Sequence, residues 1–380
     1  MNKKRYFCQN FSEMNVILTG VTGTLGSQII YELLQQEELK NIYLLIRNKG
    51  AISAKERFNS VLTNEAAPEY ILKNSTAILE KVSVLETEAF LNPSAYLDAS
   101  ETNYFIHSAG CVNLTTDSSQ KDLLFEENLE LTKTIFQAFS SYITKFTYIS
   151  TAFSIGDIGG LIDNDYHTNK EPKYRNFYEA SKHATEKFLR EEEGKTGVQI
   201  QILRPSVLGG NIFKTSKYFI SKYMVYYLVG RFFHNNPLGK NSTMRLALNS
   251  ETGLNIVPVD YVAKVIAKVF TKNIEQLNIV QSKSTNVRNG MKRIVEAVGF
   301  NDYSFVNTLD GNFVLDAKNK LEDIYYRTIG LHLNRYLTSN PYEFDTTLLE
   351  SIVPMPVYNV EDYLADTISY AKNNNFKSAW

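Results

Sequence analysis

Three glycines near the start of this 380-residue chain constrain its fold more than any other feature. Gly20 ends the apolar run NVILTG, Gly23 follows it, and Gly26 is the third residue of the segment TLGSQIIYELLQQEEL. The first run predicts a buried strand, and the helical spacing of apolar residues in the second predicts a helix. Glycines in such a turn let the backbone approach a pyrophosphate at the positive end of the helix. The pattern therefore predicts a dinucleotide-binding βαβ unit, and the alternative is an ordinary strand-to-helix loop.

The residue that follows the second predicted strand, NIYLLI, indicates which dinucleotide would bind. An NAD site places an acidic residue about 20 residues after the glycines, where it binds the ribose hydroxyls. This chain instead has Arg47 there, with Lys49 and Arg57 close by in sequence. Because a cation suits a 2′-phosphate, the predicted cofactor is NADPH. A solvated basic loop is the alternative.

Strands and helices alternate through the rest of the first half. Further strands are predicted over residues 77–85, 145–150 and 198–206, together with a strand that runs into a turn over 103–110 and helices over 53–62 and 120–142. This alternation is typical of a parallel sheet with helices on both faces. The predicted fold is α/β, a doubly wound Rossmann sheet with a smaller C-terminal substrate-binding part. The predicted domains are 1–206 plus 255–272 for the NADP-binding domain and 207–254 plus 273–380 for the substrate-binding part, the role of 320–380 being open.

Composition excludes several classes of protein. The formal charge of −1 provides no field that would attract nucleic acid or an acidic membrane surface. The segment 218–233 is the nearest approach to a membrane span, and Lys222 and Arg231 interrupt it. Two cysteines, Cys8 and Cys111, cannot form a framework of disulfides, and no metal-ligand spacing is found. We expect a soluble, cytoplasmic protein without stable membrane insertion, metal or nucleic-acid partner.

A tyrosine and a lysine lie four residues apart in NFYEASKHATEKF. Tyr178 and Lys182 would share one face of a helix, but a chain with 24 tyrosines contains such pairs by chance. Their position is more informative, because the preceding predicted strand ends at Ser150 and Thr151. Ligands of open α/β sheets bind outside the carboxyl ends of strands, so all four side chains are expected near the dinucleotide. The other face of the helix, with His183, Glu186 and Lys187, is predicted to meet water.

These motifs together resemble the extended short-chain dehydrogenases/reductases. The segments ILTGVTGTLGSQIIYELL, LLIRNKGAISAKERF, IHSAGCVNL, YISTAFSIG, YEASKHATEKFL, LRPSVLGG and NIVPVDYVAKVI carry the resemblance over residues 15–270. Within that superfamily the chain is most similar to the branch of thioester reductases and fatty acyl-CoA reductases. The chain differs from the branch after the third predicted strand. The branch usually has an acidic Gly-Asp element there, whereas this chain reads VSVLETEAFLN, so no residue is assigned to contact the adenine.

The resemblance implies a role for each matching residue. Thr151, five residues before Gly156, would bind the substrate carbonyl oxygen, Tyr178 would donate a proton, and Lys182 would lower the pKa of Tyr178. The residues implied to bind the cofactor are Gly20, Thr22, Gly23, Leu25, Gly26, Arg47, Arg57, Lys182, Pro205 and Val207. Ser150 and Asn113 would face the substrate, although a loop cap is an equal alternative for Asn113. His107 is interpreted as a structural residue.

The implied function is NADPH-dependent reduction of an acyl thioester, on coenzyme A or an acyl-carrier protein, to an aldehyde and then possibly an alcohol. The aromatic segment 216–233 is predicted to be a helix that forms either core or an apolar lid suited to an acyl chain. A peripheral membrane contact is a third alternative for it. One alternative is an extended reductase or epimerase for a ketone, a hydroxysteroid-like alcohol or a nucleotide sugar. Another is a non-catalytic NADP-binding regulator.

Overall fold

Short apolar runs form strands throughout the part of the chain that the structure, a computed structural model, describes: residues 13–64, 66–165, 170–213, 216–236, 238, 242–310 and 319–380. Numbered in chain order, the strands are β1 (Met14–Thr19), β2 (Leu39–Leu45), β3 (Val82–Leu85), β4 (Asn103–His107), β5 (Lys145–Ile149), β6 (Gly160–Ile162), β7 (Gln199–Pro205), β8 (Val207–Gly209), β9 (Met244–Leu248), β10 (Gly253–Leu254), β11 (Ile256–Pro258), β12 (Gln276–Ile279), β13 (Thr285–Asn286), β14 (Tyr303–Asn307) and β15 (Tyr342–Phe344).

Amphipathic segments form the helices between these strands. They are α1 (Thr24–Leu33), α2 (Ala54–Leu62), α3 (Glu69–Lys73), α4 (Ser75–Glu80), α5 (Thr87–Phe90), α6 (Lys121–Phe125), α7 (Leu131–Phe139), α8 (Phe177–Thr196), α9 (Tyr226–His234), α10 (Val259–Val269), α11 (Val287–Ala297), α12 (Lys320–Arg327), α13 (Ile329–Leu337), α14 (Thr347–Ile352) and α15 (Val360–Asn373). Within these described residues, none of the helices combines the length and apolar character needed to cross a bilayer.

Seven parallel strands form the main sheet of the described residues, in the order β12-β7-β5-β4-β1-β2-β3. The chain builds one half of the sheet from β1 through β2 to β3, and then crosses to the other side of β1 with β4. The strand order therefore reverses beside β1, and such a switch point opens a crevice at the carboxyl edge of a sheet. The predicted doubly wound α/β fold is confirmed.

Alternate residues of the strands pack into different cores because successive side chains point to opposite faces. Val16 and Leu18 of β1 belong to a core covered by α1, α2 and α10, whereas Ile17 belongs to a core with aromatic residues of α7. Phe136 and Phe139 of α7 lie in this second core. Burial on both faces explains why the middle of β1, from Val16 to Leu18, is apolar without alternation.

A further apolar core lies outside the sheet. It joins α9, α11, α13 and α15 through Tyr227, Phe233, Ile294, Leu333 and Ile368. Four two-stranded sheets lie outside the main sheet in the described residues, and one of them, β6 with β15, packs in a separate small cluster. The domain boundaries stay a prediction, and the sheet strand β12 lies beyond the predicted boundary at residue 272.

Three predicted elements differ in the structure. Residues 77–85 were predicted as one strand, but Val82–Leu85 alone pairs with β2 and α4 precedes it. The predicted helix over 216–233 begins only at Tyr226, because Val225 has φ +52° and cannot continue a helix. The long helix predicted over 120–142 is α6 and α7 joined by a π-helical segment, Glu126–Glu130. The N-terminal Cys8 lies outside the described residues.

Candidate active site

The glycine turn has the shape that a dinucleotide requires. Gly20 has φ +78°, and the Gly23 N–H donates to the Gly20 carbonyl at 2.8 Å. A Cβ on Gly26 would lie 2.1 Å from that same carbonyl oxygen, so α1 can approach β1 only through a glycine. No side chain caps α1 at Gly23, which leaves its first N–H groups available to an anion. These residues fit a pyrophosphate.

Two predicted cations meet at the outer end of the glycine turn. Arg57 Nη2 donates to Thr22 Oγ1 at 2.9 Å, and Arg57 Nη1 donates to the Arg47 carbonyl at 2.5 Å. The Arg47 guanidinium is exposed and lies 3.7 Å from a carboxylate oxygen of Glu127. The structure thus places Thr22, Arg47 and Arg57 together at the end of β2.

A cavity of about 470 Å³ runs from the glycine turn along the carboxyl edge of the sheet. The predicted site residues that line it are Gly23, Leu25, Gly26, Ser150, Thr151, Tyr178, Lys182, Pro205 and Val207. They come from the ends of β5 and β7, from α8 and from the glycine turn. One crevice therefore contains most of the residues selected from sequence.

The helix α8 presents Tyr178 and Lys182 to this cavity. Asn176 caps its N-terminus by accepting the Glu179 N–H at 3.0 Å, and Gly197, with φ +75°, ends it. Lys182 is buried, and its Nζ donates to the Ile149 carbonyl at 2.8 Å. The four-residue spacing places the tyrosine and the lysine one helical turn apart.

Burial determines the protonation of both residues. It raises the pKa of Tyr178 well above 10, and the nearby Glu179 and Cys111 side chains add to this shift. Burial lowers the pKa of Lys182 to about 7, which the Glu186 carboxylate partly offsets. Tyr178 is therefore a protonated phenol at neutral pH, the form that can donate a proton.

The depressed pKa of Lys182 makes stability depend on pH. Between about pH 7 and the ordinary value of 10.5, the unfolded chain binds the Lys182 proton and the folded chain does not. The free energy of unfolding should therefore rise with pH in this window, by up to about 1.4 kcal/mol per pH unit from this group. Urea unfolding of wild type and Lys182→Met across this window tests the effect. Parallel stability profiles for the two proteins would contradict it.

The two hydroxyls at the end of β5 have different partners. Ser150 Oγ donates to the Glu186 carboxylate, whereas Thr151 Oγ1 accepts the Phe153 N–H at 3.3 Å. Glu186 also pairs with the fully buried Arg204 at 2.8 Å. The Ser150 hydroxyl thus donates its hydrogen bond to the buried Glu186–Arg204 ion pair.

Two predictions about the outer face of α8 were wrong. Glu186 is buried because Arg204 of β7 lies against it. His183 is buried because its Nδ1 bonds with the Tyr174 hydroxyl at 2.5 Å. Only Lys187 is exposed as predicted. Because β7 and the segment before α8 cover this face, the helix has little contact with water here.

Much of the cavity lining is apolar. The aliphatic and aromatic side chains that line it include Val112, Leu114, Phe153, Ile220, Met224, Val225, Leu254, Ile256, Met291, Leu333 and Leu337, here called the apolar chamber. Arg175 also lines the cavity, buried, with its guanidinium carbon 4.4 Å from the Tyr336 ring centroid and its Nε 2.9 Å from Glu179. The chamber can hold a hydrocarbon chain, because the lining presents more apolar than polar surface.

The remaining candidates lie outside the cavity lining. Asn113 is exposed and its Oδ1 accepts the Thr115 N–H at 3.2 Å, so the geometry favours the loop-cap interpretation. His107 is buried between the Thr19 and Thr132 hydroxyls, at 2.7 and 3.1 Å, and burial lowers its pKa to about 3. It therefore remains neutral and structural.

Sequence reasoning missed Asn128, which positions the active-site helix. Its side chain bonds with the Cys111 backbone and donates to Ser181 Oγ at 2.9 Å, and Ser181 donates to the Tyr178 carbonyl. Asn128 lies in the π-helical segment, a distortion frequent at functional sites. Asn128 begins the segment NLELTKTIF, where the resemblance to the superfamily includes an asparagine, but that match alone assigns it no role.

The doubly wound sheet and the glycine turn define an NAD(P)-binding Rossmann fold. Thr151, Tyr178 and Lys182 lie together in the crevice beside that turn. Residues 18–266 match the NAD-binding family described as male sterility protein. The chain belongs to this family, which places it in the thioester reductase and fatty acyl-CoA reductase branch.

Relatives in sequence support this branch. A Drosophila melanogaster protein assigned as a fatty acyl-CoA reductase is 24% identical over 318 residues, which cover 73% of this chain and 56% of that protein. A polyketide synthase-nonribosomal peptide synthetase of Aspergillus clavatus is 28% identical over 201 residues, 51% of this chain and 4% of the synthetase. The chain therefore spans little more than half of one relative and a small part of the other.

Solved structures share the fold. The reductase domain of the aureusimine biosynthetic cluster superposes with a TM-score of 0.67 at 18% identity, covering 96% of this chain and 92% of that domain. UDP-glucuronic acid 4-epimerase from Bacillus cereus superposes with a TM-score of 0.61 at 15% identity, covering 95% and 98%. The fold alone therefore does not separate a reductase from an epimerase.

Proposed function

We propose that this chain is an NADPH-dependent reductase that converts an acyl thioester to an aldehyde. The observation that carries the proposal is that one cavity is lined by the glycine turn, by the Thr151 and Tyr178 side chains and by the apolar chamber. An acyl chain would occupy the chamber, with its thioester carbonyl at the two hydroxyls. The acyl group would be carried on coenzyme A or on an acyl-carrier protein.

The cofactor would be held by residues from three parts of the chain. The glycine turn would bind the pyrophosphate, Arg47 and Arg57 the 2′-phosphate, and Lys182 the nicotinamide ribose. Pro205 and Val207 line the cavity beside them. When bound, NADPH supplies the hydride that reduces the carbonyl carbon.

Side chains of the protein would stabilise the negative charge on the carbonyl oxygen and supply the proton that neutralises it. Thr151 and Tyr178 would donate hydrogen bonds to the carbonyl oxygen and stabilise the negative charge that develops on it. Tyr178, protonated because burial raises its pKa, would then transfer its proton to that oxygen. The resulting thiohemiacetal would break its carbon–sulfur bond and release the thiol and the aldehyde. Ser150 would act indirectly, by fixing the end of β5 through Glu186.

A screen of acyl thioesters tests this function. Purified protein with NADPH and acyl-CoA or acyl-carrier substrates of graded chain length should oxidise NADPH and yield one thiol per aldehyde. Apolar chains should be preferred, because the chamber walls are apolar. Absence of thioester-dependent NADPH oxidation across the panel would refute the proposal.

The structural similarity to UDP-glucuronic acid 4-epimerase makes nucleotide-sugar epimerisation the alternative function to test. A nucleotide-sugar epimerase would interconvert UDP-sugars without net loss of the reduced cofactor. Incubation with UDP-glucose and UDP-glucuronic acid, followed by chromatography of the products, distinguishes the two functions. We expect no epimerisation, because the described walls of the chamber present mainly aliphatic and aromatic side chains.

A further inference from the structure

Lys222 lies beside the glycine turn although it belongs to the segment between β8 and α9. It lines the cavity together with Gly23 and Thr24. Its neighbour Ser221 has its Oγ 3.4 Å from Thr24 Oγ1, and the Ser221 carbonyl accepts the Ala379 N–H at 2.9 Å. The smaller part of the protein therefore delivers a lysine to the predicted pyrophosphate site.

Like charges surround this lysine. Burial lowers the pKa of Lys222, and the positive charges of Lys49 and Arg57 lower it further. Among the described residues, Lys222 has neither an ion pair with a carboxylate nor a hydrogen bond. Three cations from separate segments thus converge without a compensating acid, an arrangement that favours binding of an anion.

The backbone holds Lys222 in a fixed position. Tyr218 and Val225, on either side of it, have φ +66° and +52°, values that are costly for an aromatic and a β-branched residue. Packing retains this conformation, since Ile220 and Tyr226 belong to the core of the smaller part. The backbone that carries Lys222 is therefore held by packing on both sides, next to the glycine turn that its side chain lines.

We propose that Lys222 is a phosphate-binding residue that acts with Arg57 and Lys49 on the bound dinucleotide. The assignment rests on the proposed function, because it requires an NADP-type cofactor at the glycine turn. It extends the phosphate site beyond the β2 loop to a residue from the substrate-binding part. The phosphate that Lys222 contacts is either the 2′-phosphate or the pyrophosphate. Titration with ligands that carry only one of these groups distinguishes the two.

The experiment compares Lys222→Met with wild type by isothermal titration calorimetry. NADPH, NADH, adenosine 2′,5′-bisphosphate and ADP serve as ligands, and Lys217→Met, an exposed lysine of the same segment, is the matched control. Loss of one charge-assisted phosphate contact should weaken NADPH binding about tenfold or more. A matching loss for the bisphosphate alone assigns the 2′-phosphate, and a loss for ADP as well assigns the pyrophosphate. Lys222→Arg should retain most of the affinity.

Unchanged NADPH binding by Lys222→Met would contradict the proposal. NADPH affinity of Lys222→Met within about twofold of wild type would overturn the assignment of Lys222 while leaving the proposed function intact. Failure of wild type to bind both NADPH and NADH would instead refute the proposed function, and this assignment with it. Equal thermal midpoints of wild type and Lys222→Met establish that a loss of affinity does not come from unfolding.

Discussion

Replacing Tyr178 with phenylalanine is expected to lower kcat of thioester reduction by a factor of about 10²–10⁴, the usual contribution of a positioned proton donor. The hydroxyl lines the cavity and has no hydrogen bond to the described residues, so its removal breaks no structural contact. Calorimetric titration of NADPH should give an unchanged Kd. The variant thus separates proton transfer from cofactor binding.

The matched control is Tyr43→Phe, on β2 and outside the cavity lining. It should retain wild-type kcat. If Tyr178→Phe also retained more than about a tenth of wild-type kcat, Tyr178 would not be the proton donor. A non-catalytic regulator would show no turnover in either protein.

The largest expected effect on stability comes from Arg204→Met. Arg204 is fully buried, donates to both carboxylate oxygens of Glu186 and also bonds with Gln276 and the Asn164 carbonyl. Removing it leaves the Glu186 carboxylate buried without its partner, which should cost about 3–5 kcal/mol of the free energy of unfolding. Urea denaturation followed by circular dichroism measures this loss.

A double variant separates the ion pair from simple packing. Because Glu186→Leu with Arg204→Met removes both charges, it should be more stable than Arg204→Met alone. A loss below about 1 kcal/mol in Arg204→Met would contradict the account of this pair. Since Glu186 also accepts the Ser150 hydroxyl, the single variant should loosen the end of β5 and reduce turnover as well.

The sheet and the crevice at its carboxyl edge are predictable from sequence because both depend on local patterns. Apolar runs followed by glycine or by a hydroxyl residue are sufficient to find the ends of β1 and β5. The four-residue spacing of Tyr178 and Lys182 predicts a shared helical face in any surroundings. Parallel strands then bring these segments to one edge without further information.

The remaining features depend on packing between distant segments. Whether Glu186 meets water depends on Arg204, and periodicity cannot show that β7 buries this helix face. The aromatic run after β8 looks helical in sequence, but positive φ values at Tyr218 and Val225 prevent a helix there. The contact between the Trp380 indole and the Thr22 carbonyl, at 3.0 Å, joins residues from opposite ends of the described chain. Local sequence patterns cannot predict a contact between residues so far apart in the chain.

The central claim is that hydride from NADPH reaches a thioester carbonyl in this cavity. The most direct measurement is a reaction of the protein with 4-deuterated NADPH, as each stereoisomer, and an acyl-CoA, with the aldehyde trapped and analysed by mass spectrometry. Deuterium is expected on the aldehyde carbon from one stereoisomer, together with equimolar free coenzyme A. Free thiol without a labelled aldehyde, or NADPH oxidation that does not depend on the thioester, would contradict this claim.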